Sequence, residues 1–204
     1  SVCRNCAGRE CVTVHRNDGL VCRGHTVPLT ALRDEALRSR GMFFDGGGIT
    51  LTGGEPTRQF GAVKAFLAMM KAEGISTAME TNGSHPDLPA LFPLIDTLMM
   101  DFKHPDSGKH REFTGAGNET IRANIRAAAE RHPRLQLRTP LIGGFNVGEK
   151  ELDGFLAFFR QLRDSGTPME NVTMEFLRYH EYGKEKWAQC GWEYRMENGA
   201  VSPE

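Results

Sequence analysis

Apolar positions first become periodic after the opening 25 residues. Val63, Phe66, Leu67 and Met70 recur at three- and four-residue spacing, which predicts a helix over Gln59–Glu73, stopped by Gly74. Leu152, Phe155, Leu156, Phe159 and Leu162 line one face of a second predicted helix, Glu149–Asp164. Helices are also predicted over Pro28–Arg40, with Thr26 as its cap and Pro28 in its first turn, over Asp106–Phe113 and Glu119–Arg131, and briefly over Pro89–Leu94. Between them lie short apolar runs that read as strands: Ile49–Thr52, Ser76–Glu80, Thr97–Asp101, Leu135–Pro140 and Val172–Leu177. Residues 178–204 read as loop.

Strands alternating with helices, each strand mostly apolar, predict an α/β fold of parallel strands covered by helices, with right-handed crossovers. The 204 residues suffice for a full hydrophobic core, and no change of composition divides residues 26–204. Residues 1–25 differ from the rest: they are rich in Cys, Gly, Arg and Asn and carry no periodicity.

Charge and hydropathy exclude several classes of partner. A net charge of −1 offers no polycationic footprint for nucleic acid. No apolar run approaches the ~20 residues that span a bilayer, and the first residues lack a signal-peptide pattern. A cytoplasmic protein without nucleic-acid or membrane partners is expected. Cysteine usage adds a positive signal. Four of the five cysteines, Cys3, Cys6, Cys11 and Cys22, fall within the first 22 residues among polar neighbours. That favours metal or cluster binding over small buried hydrophobes, the reading that suits Cys190. His15, four residues after Cys11, is a further candidate ligand, and a zinc site from the same ligands is an alternative.

In parallel α/β folds ligands sit at the carboxyl ends of strands. Here those ends are polar. After the first strand comes Gly53-Gly54-Glu55-Pro56, and the second ends in Glu80-Thr81-Asn82-Gly83. The third ends at Asp101 with Lys103 and His104, the fourth carries Arg138, and the fifth brings Glu175, Tyr179, His180, Lys184 and Lys186. Each has a bland reading alone: a turn, a local ion pair, a surface histidine. Their convergence points to one shared site. Its carboxylates suit an ammonium or ribose hydroxyls, its cations suit a carboxylate, and its glycines allow close backbone approach. S-adenosylmethionine has all of these groups.

The segments TLTGGEP, METNG, MMDFK, RTPLIGGFN and EFLRYHEYGKEKW, in this order, resemble the radical S-adenosylmethionine enzymes that activate glycyl radical enzymes, typified by pyruvate formate-lyase activating enzyme. The likeness runs from about Cys3 to the C-terminus. It implies a partial (β/α)6 TIM-like barrel with its first strand missing here, and a [4Fe-4S] cluster that passes an electron to bound S-adenosylmethionine. The resulting 5′-deoxyadenosyl radical would take a hydrogen from a glycine of the partner enzyme, with flavodoxin or ferredoxin as reductant. By motif, Gly53, Gly54 and Glu55 would hold the methionine amino group. Lys103, Arg138 and His180 would lie near the cosubstrate, with Lys103 and His180 in catalytic roles. Glu80, Thr81, Met99 and Asp101 match a monovalent-cation site, with Glu80 standing where relatives often have Asp.

The family's Cys-x3-Cys-x2-Cys motif is absent from this sequence. Cys3 and Cys6 fit its last two members. Together with Cys11 and either His15 or Cys22 they fit an auxiliary-cluster segment better. On the resemblance, a first strand and the radical-cluster loop are expected before Ser1 and a final helix after Glu204. The 204 residues alone are then expected not to perform the radical step. An iron-sulfur electron carrier or scaffold, and a divalent-metal or phosphate-handling barrel using Glu55, Glu80, Asp101 and His180, are the competing readings.

Overall fold

The computed structural model describes residues 24–194 and 199–201. Helix α1 (Leu29–Arg38) starts later than predicted, with Pro28 rather than Thr26 at its N-cap position. The reason is local: the ring of Pro28 disfavours helical geometry at Val27, so the first turn forms only beyond it. Strand β1 (Gly48–Leu51) follows, then a 3-10 turn (Pro56–Gln59) that leads into α2 (Phe60–Ala72). Next come β2 (Ser76–Thr81), a 3-10 segment (Leu88–Leu94) and β3 (Thr97–Asp101). Helices α3 (Ser107–Thr114) and α4 (Glu119–Arg131) lead to β4 (Leu135–Leu141), α5 (Glu149–Asp164) and β5 (Val172–Arg178). A short helix α6 (Lys184–Gln189) occupies part of the stretch read as loop. At six residues it is too short to show an apolar period, and it is steadied by edge-on packing of Trp187 on Trp192.

The described strands form one sheet in the order β1-β2-β3-β4-β5, and every adjacent pair is parallel. Strand order follows chain order, as in a barrel wall built from successive βα units.

The sheet is two-faced. In β2 (STAMET) and β3 (TLMMD) burial alternates residue by residue. Met79, Leu98, Met100, Leu135 and Leu137 point to the covered face. There they pack with Leu67 of α2, Ile125 of α4 and Phe158 of α5 in one core. The register places Glu80, Met99, Gln136, Arg138 and Glu175 on the opposite face, where they stay half exposed. Apolar strands of such length look continuous in sequence because the second face carries small or amphipathic residues such as Ala78 and Met99 among its polar ones.

Candidate active site

The polar face carries a chain of ion pairs running across the strands. Arg138 of β4 lays Nη1 2.7 Å from Oε1 of Glu80 on β2, and its Nε is 3.1 Å from Oε2 of Glu175 on β5. The Nε–H makes no aligned hydrogen bond in spite of that proximity. Thr52, just past β1, donates to Oε2 of Glu80 at 2.8 Å, and Gln136 donates to Glu175 at 3.1 Å. Asp101 pairs with Lys103 at 3.1 Å. Counting Glu80, Asp101 and Glu175 against Lys103 and Arg138, this wall is net negative, and solvent screens part of its field because its acidic side chains are a third or more exposed.

The Glu55 carboxylate accepts four hydrogen bonds from within the chain. Oε1 accepts from the Thr57 amide at 3.0 Å and from the Thr57 and Thr81 hydroxyls at 2.6 and 2.7 Å, while Oε2 accepts from the Asn82 amide at 2.7 Å. The residue caps the Pro56–Gln59 turn and ties the end of β1 to the end of β2. Thr81 continues this ladder by accepting from Gly83 N–H at 3.1 Å. The neighbouring Gly53 and Gly54 meet open space, and Gly53 has φ +118°, a backbone state that side chains disfavour. A ligand can therefore lie against this backbone without displacing any side chain.

Two hollows flank these tethers. A cavity of about 130 Å³ is bordered by Asn82, Ser84, Asp101, Lys103, His110 and Thr114. A more open groove of about 450 Å³ runs past Glu55, Thr57, Arg58, Asn82 and His85. The segment carrying Lys103 is clamped from three elements: Thr139 donates to the Phe102 carbonyl at 2.5 Å, Asn146 to the Lys103 carbonyl at 2.8 Å, and Asn118 to the His104 carbonyl at 2.7 Å. Burial holds the His104 imidazole below its ordinary pKa, against the opposing pull of its hydrogen bonds with the Asp106 backbone. Burial and the hydrogen bond shared with Tyr194 push the Tyr179 phenol upward, so it stays protonated.

Glu80 thus meets Arg138, Asp101 meets Lys103, and Glu55 and Thr81 form a further cluster at the strand ends. His180 lies on the exposed segment after β5, its ring stacked on Tyr182 at 4.4 Å. Lys184 opens α6 and pairs with Glu181 at 3.1 Å. Thr52, Thr57, Gln136, Asn118 and Asn146 were not singled out from the sequence. The paired motifs RTP and GFN hold a signal for Asn146, since an amide in an otherwise apolar loop has to find backbone partners. Cys3, Cys6, Cys11, Cys22 and His15 lie outside the described residues. Among the described residues no group of three or more His, Cys, Asp or Glu side chains is arranged to hold a metal ion.

A parallel sheet with a covered apolar face, a bare acidic face and open glycine turns at its strand ends is the inner wall of a partial barrel made for a small ligand. The family follows from comparison: the chain belongs to the radical SAM superfamily, whose family model matches residues 4–158. Over 161 residues it is 37% identical to the choline trimethylamine-lyase activating enzyme of Oleidesulfovibrio alaskensis, an alignment covering 77% of this chain and 51% of that protein. Over 200 residues it is 32% identical to the 4-hydroxyphenylacetate decarboxylase activating enzyme of Clostridioides difficile, covering 95% and 60%. The chain therefore spans about half to three fifths of the length of these relatives. Its fold is similar to that of Streptococcus suis SuiB solved with bound S-adenosylmethionine, at TM-score 0.56 and 14% identity over 80% of this chain and 45% of that one. The superfamily works with S-adenosylmethionine and a [4Fe-4S] cluster. These relationships set aside the electron-carrier reading and the divalent-metal barrel.

The residues present fit S-adenosylmethionine. Its sulfonium and ammonium suit the net negative wall, its carboxylate suits Lys103, and the turn at Gly53-Gly54 leaves backbone room. They fit a monovalent cation poorly, because both carboxylate oxygens of Glu80, the Thr81 hydroxyl and Oδ2 of Asp101 already have partners within the chain.

Proposed function

We propose that this chain is the barrel core of an activating enzyme that generates a glycyl radical on a partner protein by reductive cleavage of S-adenosylmethionine. The observation that carries this reading is the Glu80–Arg138–Glu175 row on the bare face of the sheet, an acidic wall with glycine turns at its rim. The relatives' shared naming as activating enzymes supports it.

Each residue then has a task. Gly53 and Gly54 let the amino acid end of the cosubstrate rest on bare backbone, and Glu55 holds that turn in shape through Thr57, Thr81 and Asn82. Lys103 faces the carboxylate and is partly neutralised by Asp101 until the ligand arrives. Arg138 spreads positive charge between two glutamates so that the wall stays acidic without uncompensated repulsion. His180 closes the ribose side from the segment after β5. The cysteine-rich segment 1–25, with Cys3, Cys6, Cys11, Cys22 and His15, is assigned to iron-sulfur binding. When bound, the cluster and cosubstrate supply the one-electron chemistry that removes hydrogen from the partner's glycine. The protein orients the reacting atoms and excludes water. The described residues contain no helix long and apolar enough to cross a membrane. We assign the protein to the cytoplasm, with a flavodoxin or ferredoxin as reductant.

The test is titration calorimetry of the chain with S-adenosylmethionine and with S-adenosylhomocysteine, which lacks the sulfonium charge. The acidic wall requires tighter binding of the sulfonium form, and Lys103→Glu should abolish binding of the cosubstrate carboxylate end. Failure to bind either compound, or preference for the uncharged thioether, overturns the reading.

A further inference from the structure

The geometry points to Arg138 as a built-in counter-cation: this chain takes no monovalent cation between Glu80 and Asp101, and the length of the side chain at position 80 decides it. The inference deepens the S-adenosylmethionine reading by naming what balances charge beside that ligand.

A bound monovalent cation has to be wrapped by several oxygens that replace its water shell. Here three of the four carboxylate oxygens of Glu80 and Asp101, and the Thr81 hydroxyl, have partners within the chain. Glu80 gives Oε1 to Arg138 at 2.7 Å and Oε2 to the Thr52 hydroxyl at 2.8 Å. Asp101 gives Oδ2 to Lys103 at 3.1 Å. The Thr81 side chain is on the covered face, where it donates to Glu55 at 2.7 Å and accepts from Gly83 at 3.1 Å. Met99 sits mid-strand in register with Glu80 on one side and Gln136 on the other, so its backbone belongs to the ladder.

The contact between Glu80 and Arg138 is made by reach. The two residues are on β2 and β4, with β3 between them, so their backbones are separated by two strand spacings, roughly 10 Å. They are also staggered, since Glu80 lies opposite Met99 and Arg138 opposite Asp101. Only two long side chains meet over such a gap. An aspartate at position 80 draws the carboxylate back by one C–C bond, about 1.5 Å, which breaks a 2.7 Å contact and frees both oxygens. A guanidinium cannot be deprotonated or exchanged with the buffer, whereas a bound ion can. With glutamate the counter-charge is therefore permanent, and with aspartate the vacancy invites an ion.

The experiment has two readouts. Crystals of the chain soaked in rubidium chloride show by anomalous scattering whether an ion lies against Glu80 and Asp101. Calorimetry then gives S-adenosylmethionine affinity in potassium chloride and in tetramethylammonium chloride at equal ionic strength. Wild type is expected to show no rubidium peak there and affinities within about twofold. Glu80→Asp is expected to gain the peak and about a tenfold dependence on potassium, within the ordinary range of coupling between two sites. A rubidium peak at these carboxylates in wild type, or tenfold tighter wild-type binding in potassium, overturns the inference. So does a Glu80→Asp protein that folds with an unchanged melting curve and gains neither. Absence of ligand binding in every salt, with no wild-type rubidium peak, defeats the proposed function and leaves this inference standing.

Discussion

The carboxylate of Glu55, beyond the end of β1, accepts the backbone N–H of Asn82, beyond the end of β2, at 2.7 Å. With Thr57 and Thr81 on its other oxygen, Glu55 is a staple between two strand ends before any ligand binds. Glu55→Gln sets an NH2 group against a backbone N–H, that of Thr57 or of Asn82, whichever way the amide turns. An unmatched donor of this kind costs about 1–3 kcal/mol. Urea unfolding of the ligand-free chain should show that loss. An unchanged ligand-free stability would mean that Glu55 serves the ligand alone.

Asn146 is the second staple. Its Nδ2 donates to the carbonyls of Lys103 and Pro140 at 2.8 and 2.7 Å, and its Oδ1 accepts from Ile142 N–H at 2.8 Å. Asn146→Ala takes this partner from three part-buried backbone groups and should destabilise the chain by about 1–3 kcal/mol. It should also loosen the Lys103 segment, seen as faster amide exchange at residues 102–104 than at β2.

Gly48 begins β1 against Ser76. A Cβ at Gly48 would lie 1.9 Å from the Ser76 carbonyl oxygen, which is backbone and cannot swing away. Gly48→Ala should therefore push β1 from β2 at a cost of about 1–3 kcal/mol. Faster exchange confined to the β1 amides would identify the cause.

Buried histidines set a pH dependence. His132 accepts the Arg134 N–H on Nδ1 at 3.1 Å, which leaves Nε2–H to donate to the Ile95 carbonyl at 2.9 Å, and burial lowers its pKa. His104 is shifted in the same direction by burial. The folded chain then binds fewer protons than the unfolded chain just below the ordinary imidazole value near 6.5. Stability is full above that value and falls as pH drops below it, until the folded-state pKa is reached. Urea unfolding at pH 7.5 and 5.5 should show the decline, and His132→Gln should flatten it. Equal stability of the wild type at both pH values would show that neither ring is held neutral.

Much of this fold is legible in the chain. The periods at Val63–Met70 and Leu152–Leu162 mark their helices, and Thr97–Asp101 is a strand with the bounds its pattern gives. Local signals also placed Glu80, Asp101 and Lys103 at strand ends and Arg138 inside the fourth strand. The partners of Glu55 were not legible, because a carboxylate beside glycines looks the same whether it waits for a ligand or ties two loops together. Asn118 was silent for a similar reason, and Asn146 signalled a need for backbone partners without naming them: both reach carbonyls far away in sequence.

The sequence by itself determined the alternation of strand and helix, the parallel sheet it requires and the gathering of charge at strand ends, since period and turn chemistry act over a few residues. Only the tertiary structure decided which charge meets which. Arg138 joins Glu80 rather than Asp101, its register neighbour, because the stagger of β2, β3 and β4 and the length of two side chains bring those atoms within 2.7 Å.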